Sequence, residues 1–320
     1  MRFALLTLLT SASPALADGL LLVPPLDCNL NGPCYIQQYV DHDPGPGSTD
    51  FTCGALSYDG HKGTDFALPS LAAQAAGVTV LASAPGTVRA TRDGMADTLQ
   101  GSPDAPDVSN VECGNGVVID HGDGWETQYC HMAKDSILVQ PGQVVAAGDP
   151  LGRVGLSGQT QFPHVHLSVR RDGQVVDPFA PENLNICNAS TGDETLWVST
   201  PPTPAGGIIT AGFYNGVPDY DQVKEGTAAL IALSPTDPMV VWGYVFGGKP
   251  QDVLTLTING PAGEVFRQDV TLERQQAQLF RAGGKRAPAG GWSSGSYTGT
   301  ITLMRDGSIL DQQIEMLILP

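Results

Sequence analysis

The residues that could carry out chemistry are histidines and an aspartate in three short segments of the chain. These segments are His61-Lys62-Gly63-Thr64-Asp65, Tyr129-Cys130-His131 and His164-Val165-His166. Catalytic zinc usually takes three ligands from His, Asp, Glu or Cys, and leaves a fourth position for a water whose pKa falls to about 7. His61, Asp65 and one histidine of the last pair would satisfy that number. The residue types therefore favour a hydrolytic metal site.

The histidine pair lies in a segment that is typical of a β-strand. Pro163-His164-Val165-His166-Leu167-Ser168-Val169-Arg170 is rich in branched and apolar residues, which favour strands. In a strand, residues i and i+2 share a face and are about 6.6 Å apart, at about 3.3 Å per residue. Both imidazoles can thus face one site, although only one of them needs to bind the metal.

The same alternation predicts the direction of the third histidine. Tyr129 and His131 are expected on one face of a strand, with Cys130 on the opposite face. His131 would then act together with the non-ligand histidine of the pair, one as the base and the other as the transition-state stabiliser.

Five short motifs follow one another in a fixed order along the chain. They are His61-x-Gly63-x-Asp65, Gly116-Val117-Val118-Ile119-Asp120-His121-Gly122, Thr127-x-Tyr129-x-His131, Pro141-Gly142-Gln143-x-Val145-x-x-Gly148 and Pro163-His164-x-His166. Each motif alone is weak, but all five in sequence form a specific pattern. Over about residues 55 to 180, this pattern resembles the lysostaphin/LytM-type zinc endopeptidases.

The resemblance implies roles that spacing alone does not assign. By it, His61, Asp65 and His166 are the Zn²⁺ ligands, while His131 and His164 are catalytic histidines that do not bind the metal. It also implies an antiparallel β-sheet catalytic domain with a groove. In such a groove, an extended peptide would be held through main-chain hydrogen bonds.

The activity implied by the resemblance is cleavage of peptide cross-links or stem peptides of peptidoglycan. One departure from the family is the stretch 158–163, which differs from the commoner glycine-rich run before the histidine pair. Two alternatives remain open. The first is a LytM-like non-catalytic activator, which is expected to lack part of the metal set. The second is a wall-binding protein in which the C-terminal region is the functional part.

The start of the chain has the layout of a signal peptide. Met1-Arg2-Phe3 is followed by an apolar run and by Ala15-Leu16-Ala17, which predicts cleavage after Ala17 and a periplasmic or secreted protein. No segment is as long as the roughly 20 apolar residues that a membrane span needs. We therefore expect no membrane span.

The remaining sequence predicts an all-β protein with two domains. Short branched runs separated by Gly and Pro turns recur throughout, and a Pro-rich stretch interrupts them. The second region contains neither histidine nor cysteine. We interpret it as an immunoglobulin-like β-sandwich that binds the cell wall or a protein partner. The predicted parts are a signal peptide (1–17), a disulfide-containing segment (18–52), the LytM-type domain (53–198), a linker (199–207) and the sandwich (208–320).

Six cysteines in the exported part favour disulfides over thiolate metal sites. We expect Cys28 to pair with Cys34 across a short loop and Cys113 with Cys130 across neighbouring strands. By elimination, Cys53 would pair with Cys187.

The charge balance restricts the kind of partner. There are 33 acidic and 16 basic residues, so the formal net charge is −17. A nucleic acid partner or an anionic lipid surface is therefore not expected. Peptidoglycan carries carboxylates of its own, so recognition of that substrate would have to be local.

Overall fold

The structure is a computed structural model, and it describes residues 19–182, 184–187, 195–228 and 232–320. These residues form mainly antiparallel β-strands with two short helices. The predicted signal peptide, residues 1–17, lies outside the described residues.

An eight-stranded antiparallel sheet carries the three histidine segments. Its strand order is β1-β2-β9-β6-β5-β4-β7, with β10 paired to β9, and β3 and β8 form a separate pair. The elements are β1 (Tyr35–Gln38), β2 (Thr64–Ala67), α1 (Leu71–Ala76), β3 (Thr79–Leu81), β4 (Gly86–Arg92), β5 (Asn115–Gly122), β6 (Trp125–Met132), β7 (Val144–Val145), β8 (Pro150–Arg153), β9 (His164–Arg171) and β10 (Gln174–Val176).

One face of this sheet packs into a hydrophobic core. Val117, Tyr129 and Leu167 lie opposite one another on β5, β6 and β9, and all three are fully buried. Because side chains alternate along a strand, their neighbours Cys130 and His166 lie on the other face. The alternation in the sequence thus separates a core face from a polar face.

The predicted disulfide-containing segment adds an edge strand to the sheet. Its strand β1 pairs with β2, and Leu22 forms a bridge to Trp197 close to the end of the predicted first domain. All three predicted disulfides are present, namely Cys28–Cys34, Cys53–Cys187 and Cys113–Cys130.

The second half of the chain forms two antiparallel sheets, with strand orders β11-β12-β15 and β14-β13-β16-β17. Apolar side chains of both sheets, such as Val241 and Leu256, enclose a core. The immunoglobulin-like assignment and the domain boundaries remain predictions. The elements are β11 (Gly207–Tyr214), α2 (Tyr220–Glu225), β12 (Met239–Gly248), β13 (Val253–Gly260), β14 (Gly263–Thr271), β15 (Gln276–Lys285), β16 (Gly295–Arg305) and β17 (Ser308–Leu319).

Strand β12 connects the two halves because both of its faces are covered. All ten of its residues are buried. Val241 and Val245 enter the core of the second half, whereas Trp242, Tyr244 and Phe246 enter the core that is continuous with the first sheet. The Phe246 and Tyr35 rings are 4.6 Å apart between centroids. The two halves therefore share a packed apolar interface.

Neither helix in the described part of the chain has the length and apolar character that crossing a membrane requires.

Candidate metal centre

The pairing of β2 with β9 brings the first and third histidine segments together. Asp65 lies opposite His166, and Ala67 lies opposite His164. Directly opposed residues of an antiparallel pair present their side chains on the same face. The loop before β2 brings His61 to the same place, where its Nε2 is 3.2 Å from Asp65 Oδ1.

Three donor atoms converge at this point. His166 Nδ1 is 2.8 Å from Asp65 Oδ1 and 3.1 Å from His61 Nε2. At a Zn–N distance of about 2.0–2.1 Å, tetrahedral geometry places two ligand atoms about 3.3 Å apart. The observed separations are close to that value. Among the residues that the structure describes, His61, Asp65 and His166 form the one group with ligand atoms placed for a metal ion.

In His61 and His166, a hydrogen bond at one ring nitrogen leaves the other ring nitrogen free to bind a metal ion. His61 Nδ1 donates to the Tyr39 carbonyl at 2.7 Å, which leaves the lone pair of Nε2 toward Asp65. His166 Nε2 is 3.0 Å from Ser168 Oγ, so a hydrogen bond from this nitrogen leaves Nδ1 as the ligand. Such partners commonly orient ligand histidines. The donor set therefore fits a zinc ion.

Gly63 allows the loop to approach β9 closely. A Cβ at this position would lie 2.6 Å from both His166 Nε2 and the Leu167 carbonyl oxygen. Any larger residue would displace the backbone or His166. The glycine between His61 and Asp65 thus has a steric role.

The predicted direction of Tyr129 and Cys130 is wrong. Cys130 lies opposite His166, and Tyr129 lies opposite Leu167 in the core, where its hydroxyl accepts a hydrogen bond from the Ser83 amide. His131 nevertheless lies near the donor atoms, since its ring centroid is 6.1 Å from that of His166. The reason is a break in alternation: His131 has a left-handed φ of 61°, and the β5–β6 register shifts beside it.

Each of the two histidines outside the donor trio is held by a hydrogen bond to a backbone carbonyl. His131 Nδ1 donates to the Ser157 carbonyl at 2.9 Å, and His164 Nδ1 donates to the Phe162 carbonyl at 2.9 Å. Each ring thus retains a free lone pair on Nε2. Their centroids are 4.7 Å apart, and His164 Nε2 is 3.5 Å from Asp65 Oδ1.

The stretch before the histidine pair supports His164. Thr160 Oγ1 is 3.1 Å from His164 Nδ1, and the Phe162 ring stacks on the His164 ring at 4.3 Å. Residues 158–163, which differ from the commoner glycine-rich run, therefore provide an aromatic ring, Phe162, that packs on the His164 imidazole.

Burial and charge set the protonation of this cluster. Burial lowers the pKa of His131 well below its ordinary value, and His164 and His166 lower it further. Burial also lowers the pKa of His164. Although burial by itself would raise it, the pKa of Asp65 is held well below its ordinary value by His61 and His164. At neutral pH, His131 and His164 are thus neutral beside an ionised carboxylate.

Tyr58 is a site residue that sequence reasoning missed. Its ring stacks on the His61 ring at 4.3 Å, and half of its surface is exposed. Burial and then the Asp65 charge raise the pKa of its phenol, so the hydroxyl remains protonated and can donate. Its position three residues before His61 was the available signal, but an isolated tyrosine in a loop is not distinctive.

The cluster opens into a large cleft, which we call the shared cleft because both halves of the chain line it. Its volume is about 1320 Å³. Lining residues of the first half include Tyr35, Tyr58, Asp65, His131 and His164, together with parts of 99–112 and 159–163. Those of the second half include Tyr220, Lys224, Tyr244 and 276–278.

The other two histidines of the chain lie elsewhere. His42 pairs with Asp177 at 2.8 Å, and both side chains are fully buried. His121 bonds to the Pro85 carbonyl and to Thr127. Both pairs serve the packing of the sheet and its loops.

Residues 59–178 match the family described as "Peptidase family M23". The chain is similar to part of the peptidoglycan DD-endopeptidase ShyA of Vibrio cholerae, with 34% identity over 117 residues, 37% of this chain and 22% of the relative. The murein hydrolase activator EnvC of Escherichia coli is 36% identical over 105 residues, 32% of this chain and 22% of the relative. The chain thus spans about a fifth of the length of these relatives.

One solved structure that is similar to this chain is the catalytic domain of a prophage-encoded M23 protein, EnpA, from Enterococcus faecalis. It is 27% identical, covers 46% of this chain and 90% of its own, and superposes with a TM-score of 0.32. The predicted LytM-type resemblance is confirmed over residues 59–178, which match peptidase family M23.

Proposed function

We propose that this protein is a zinc-dependent endopeptidase that cleaves peptide cross-links or stem peptides of peptidoglycan. The observation that carries the proposal is the convergence of His61 Nε2, Asp65 Oδ1 and His166 Nδ1, with two further neutral histidines beside them. Three ligands leave a fourth position for water, as in catalytic rather than structural zinc sites.

The zinc, when bound, would lower the pKa of a water molecule and polarise the scissile carbonyl. His131 and His164 each have an Nε2 without a hydrogen, because Nδ1 donates to a backbone carbonyl. One of them can accept the proton of the attacking water. The imidazolium that forms can then donate its Nε2 proton to the leaving amine. The other histidine can stabilise the oxyanion only after its own Nε2 has gained a proton.

The relatives and the cysteines support the proposed substrate class and location. ShyA is a peptidoglycan DD-endopeptidase, which favours a peptide bond of the cell wall as the target. All six cysteines are paired, as expected in an oxidising compartment. We therefore place the protein in the periplasm or outside the cell.

The main alternative function is that of a non-catalytic activator of another wall hydrolase, because the chain is also similar to the murein hydrolase activator EnvC. A protein with that role would not need a complete donor trio, whereas this chain has all three ligands and both additional histidines. The intact set therefore favours the enzyme.

Digestion of purified peptidoglycan tests the proposal. The protein, loaded with zinc, is incubated with peptidoglycan, and the release of free amines is measured while mass spectrometry identifies the muropeptides. We expect new amines from a specific peptide bond, no release after chelation, and recovery on adding zinc. Zinc-loaded protein that releases no amines, yet stimulates a second wall hydrolase, would instead support the activator.

A further inference from the structure

The wall of the shared cleft that the second half provides is fixed to the first half by hydrogen bonds. Gln37 of β1 donates through Nε2 to the Ala277 carbonyl at 2.9 Å. Gln278 donates through Nε2 to the Tyr35 hydroxyl at 3.2 Å, and it accepts a hydrogen bond from the Tyr244 hydroxyl. A peptide that enters the cleft thus contacts residues of β15 as well as the histidine cluster.

Helix α2 continues this wall and is fixed in place. Its N-terminus is closed by a capping box between Asp219 and Gln222, and Val223 is buried. The Tyr220 ring stacks on Phe280 at 5.2 Å, with nearly parallel planes. These contacts fix the helix, and with it the backbone position of Lys224, the residue after Val223.

Lys224 is the one lysine or arginine among the cleft-lining residues in the described part of the chain. The lining carboxylates include Asp107, Glu112, Asp221 and Glu225. Apart from a zinc ion at the proposed metal centre, the Lys224 ammonium is thus the positive charge among these lining residues to which an anionic ligand can bind.

The partners of Lys224 leave it available to a ligand. Its Nζ is 2.8 Å from Asp221 Oδ1, but the Asp221 side chain is 81% exposed. Exposed ion pairs of this kind stabilise a fold very little, so exchanging one carboxylate for another costs little. The Tyr220 ring lies 4.9 Å from Nζ and favours a cation at this position.

We propose that Lys224 is a specificity-determining residue that binds a free carboxylate of the peptide substrate. This inference rests on the proposed function, because it names a property of the same cleft. The net charge of −17 opposes association with an anionic peptide. A single fixed cation would therefore select where a carboxylated peptide sits, and so which bond reaches the histidine cluster.

Binding to the metal-free protein tests this selection without any cleavage. The probes are a purified cross-linked muropeptide and the same muropeptide with its free carboxylates converted to amides, titrated by calorimetry. With wild-type protein, we expect the amidated form to bind about 10-fold more weakly, the ratio for loss of one charge-assisted hydrogen bond. Simple repulsion by the net charge predicts the opposite order.

Single substitutions test whether Lys224 causes the preference for the carboxylated muropeptide. Lys224→Met should lose the preference for the carboxylated form, and Lys224→Arg should retain it. Lys285→Met removes the same charge from β15 outside the cleft lining and should behave as wild type. Equal binding of both muropeptides by wild-type protein, no binding of either, or an unchanged preference in Lys224→Met would each overturn the inference.

Kinetics of the zinc-loaded enzyme separate this inference from the proposed function. Lys224→Met should raise KM for the carboxylated muropeptide about 10-fold and leave kcat near the wild-type value. If wild-type protein distinguishes the two muropeptides in binding but cleaves neither, the proposed function fails and the inference stands. If it cleaves both with equal KM, the inference fails and the proposed function stands.

Discussion

At the residue scale, the histidines of the site differ in the nitrogen that the fold leaves free. His61 and His131 donate through Nδ1 to backbone carbonyls, whereas His166 is fixed through Nε2 by Ser168. Histidine types alone cannot reveal this difference, because it depends on carbonyls and a hydroxyl contributed by other segments. The free nitrogen does not by itself separate ligands from bases, because His61 and His131 share it. The convergence of donor atoms on His61, Asp65 and His166 is what favours the separation that the resemblance implied.

His131→Ala tests that separation. The variant should retain one zinc per chain, because His61, Asp65 and His166 are unchanged. It should lose about 100- to 1,000-fold in turnover, the usual cost of removing one preorganised transition-state partner. Zinc content and amine release are measured on the same sample. Near-normal activity in a zinc-loaded His131→Ala protein would eliminate the proposed role.

The lowered pKa values of His131 and His164 predict how activity responds to acid. Burial lowers both pKa values below the ordinary value of about 6.5. Neither histidine is therefore half protonated until the pH falls below about 6.5. The acid limb of kcat/KM should have its midpoint below pH 6.5, with zinc occupancy measured at each pH. A midpoint above 6.5 at full zinc occupancy would show that neither histidine is the base.

At the element scale, strand pairing positions every group of the site. The sequence pattern predicts the strand of the histidine pair and several others, such as β12 and β13, because each contains a run of branched residues. Strand β15 is missed, because Gln276–Lys285 is polar and glycine-containing, and it forms by pairing with the buried β12. Strand alternation also does not predict how His131 reaches the site, because the register shift depends on how β5 pairs with β6.

The disulfide Cys113–Cys130 lies directly beside this irregularity. The Cys113 carbonyl accepts a hydrogen bond from the His131 amide at 2.8 Å, so the bridge and the left-handed backbone support each other. Replacing both cysteines by serine should lower the free energy of unfolding by about 3 kcal/mol, as for a closed loop of about 15 residues. Turnover should fall while zinc remains bound.

The bridge Cys28–Cys34 provides the control for this double variant. It closes a shorter loop, with a sequence separation of 6 rather than 17. Its double serine variant should cost less stability and leave turnover unchanged. Urea denaturation and amine release measure both pairs. Equal effects of the two double variants on turnover would contradict a specific role beside His131.

At the scale of the whole molecule, the two halves are less separate than the Pro-rich stretch indicates. The sequence predicts a linker and an accessory region. One face of β12, however, carries Trp242, Tyr244 and Phe246, and these side chains are buried in the core that is continuous with the first sheet. Contacts between distant segments of this kind have no local signature in a sequence. The shared cleft could not be predicted for the same reason.

Phe246→Ala measures the strength of this interface in the full chain. Phe246 is 3% exposed, and truncating a buried phenylalanine costs about 3–5 kcal/mol. We expect that loss of stability in urea denaturation. Phe266→Ala in β14, where the ring is only partly buried, should cost less. An effect of Phe246→Ala below that of Phe266→Ala would show that the halves do not stabilise each other.

The central claim is that His61, Asp65 and His166 hold a catalytic zinc ion, and Asp65→Ala tests it most directly. Asp59→Ala, which removes an exposed carboxylate six residues earlier in the chain, is the matched control. Metal content and amine release from purified peptidoglycan are measured for both variants. We predict one zinc per chain and full activity for wild type and Asp59→Ala, and neither zinc nor activity for Asp65→Ala. Zinc at wild-type occupancy in Asp65→Ala would contradict the account.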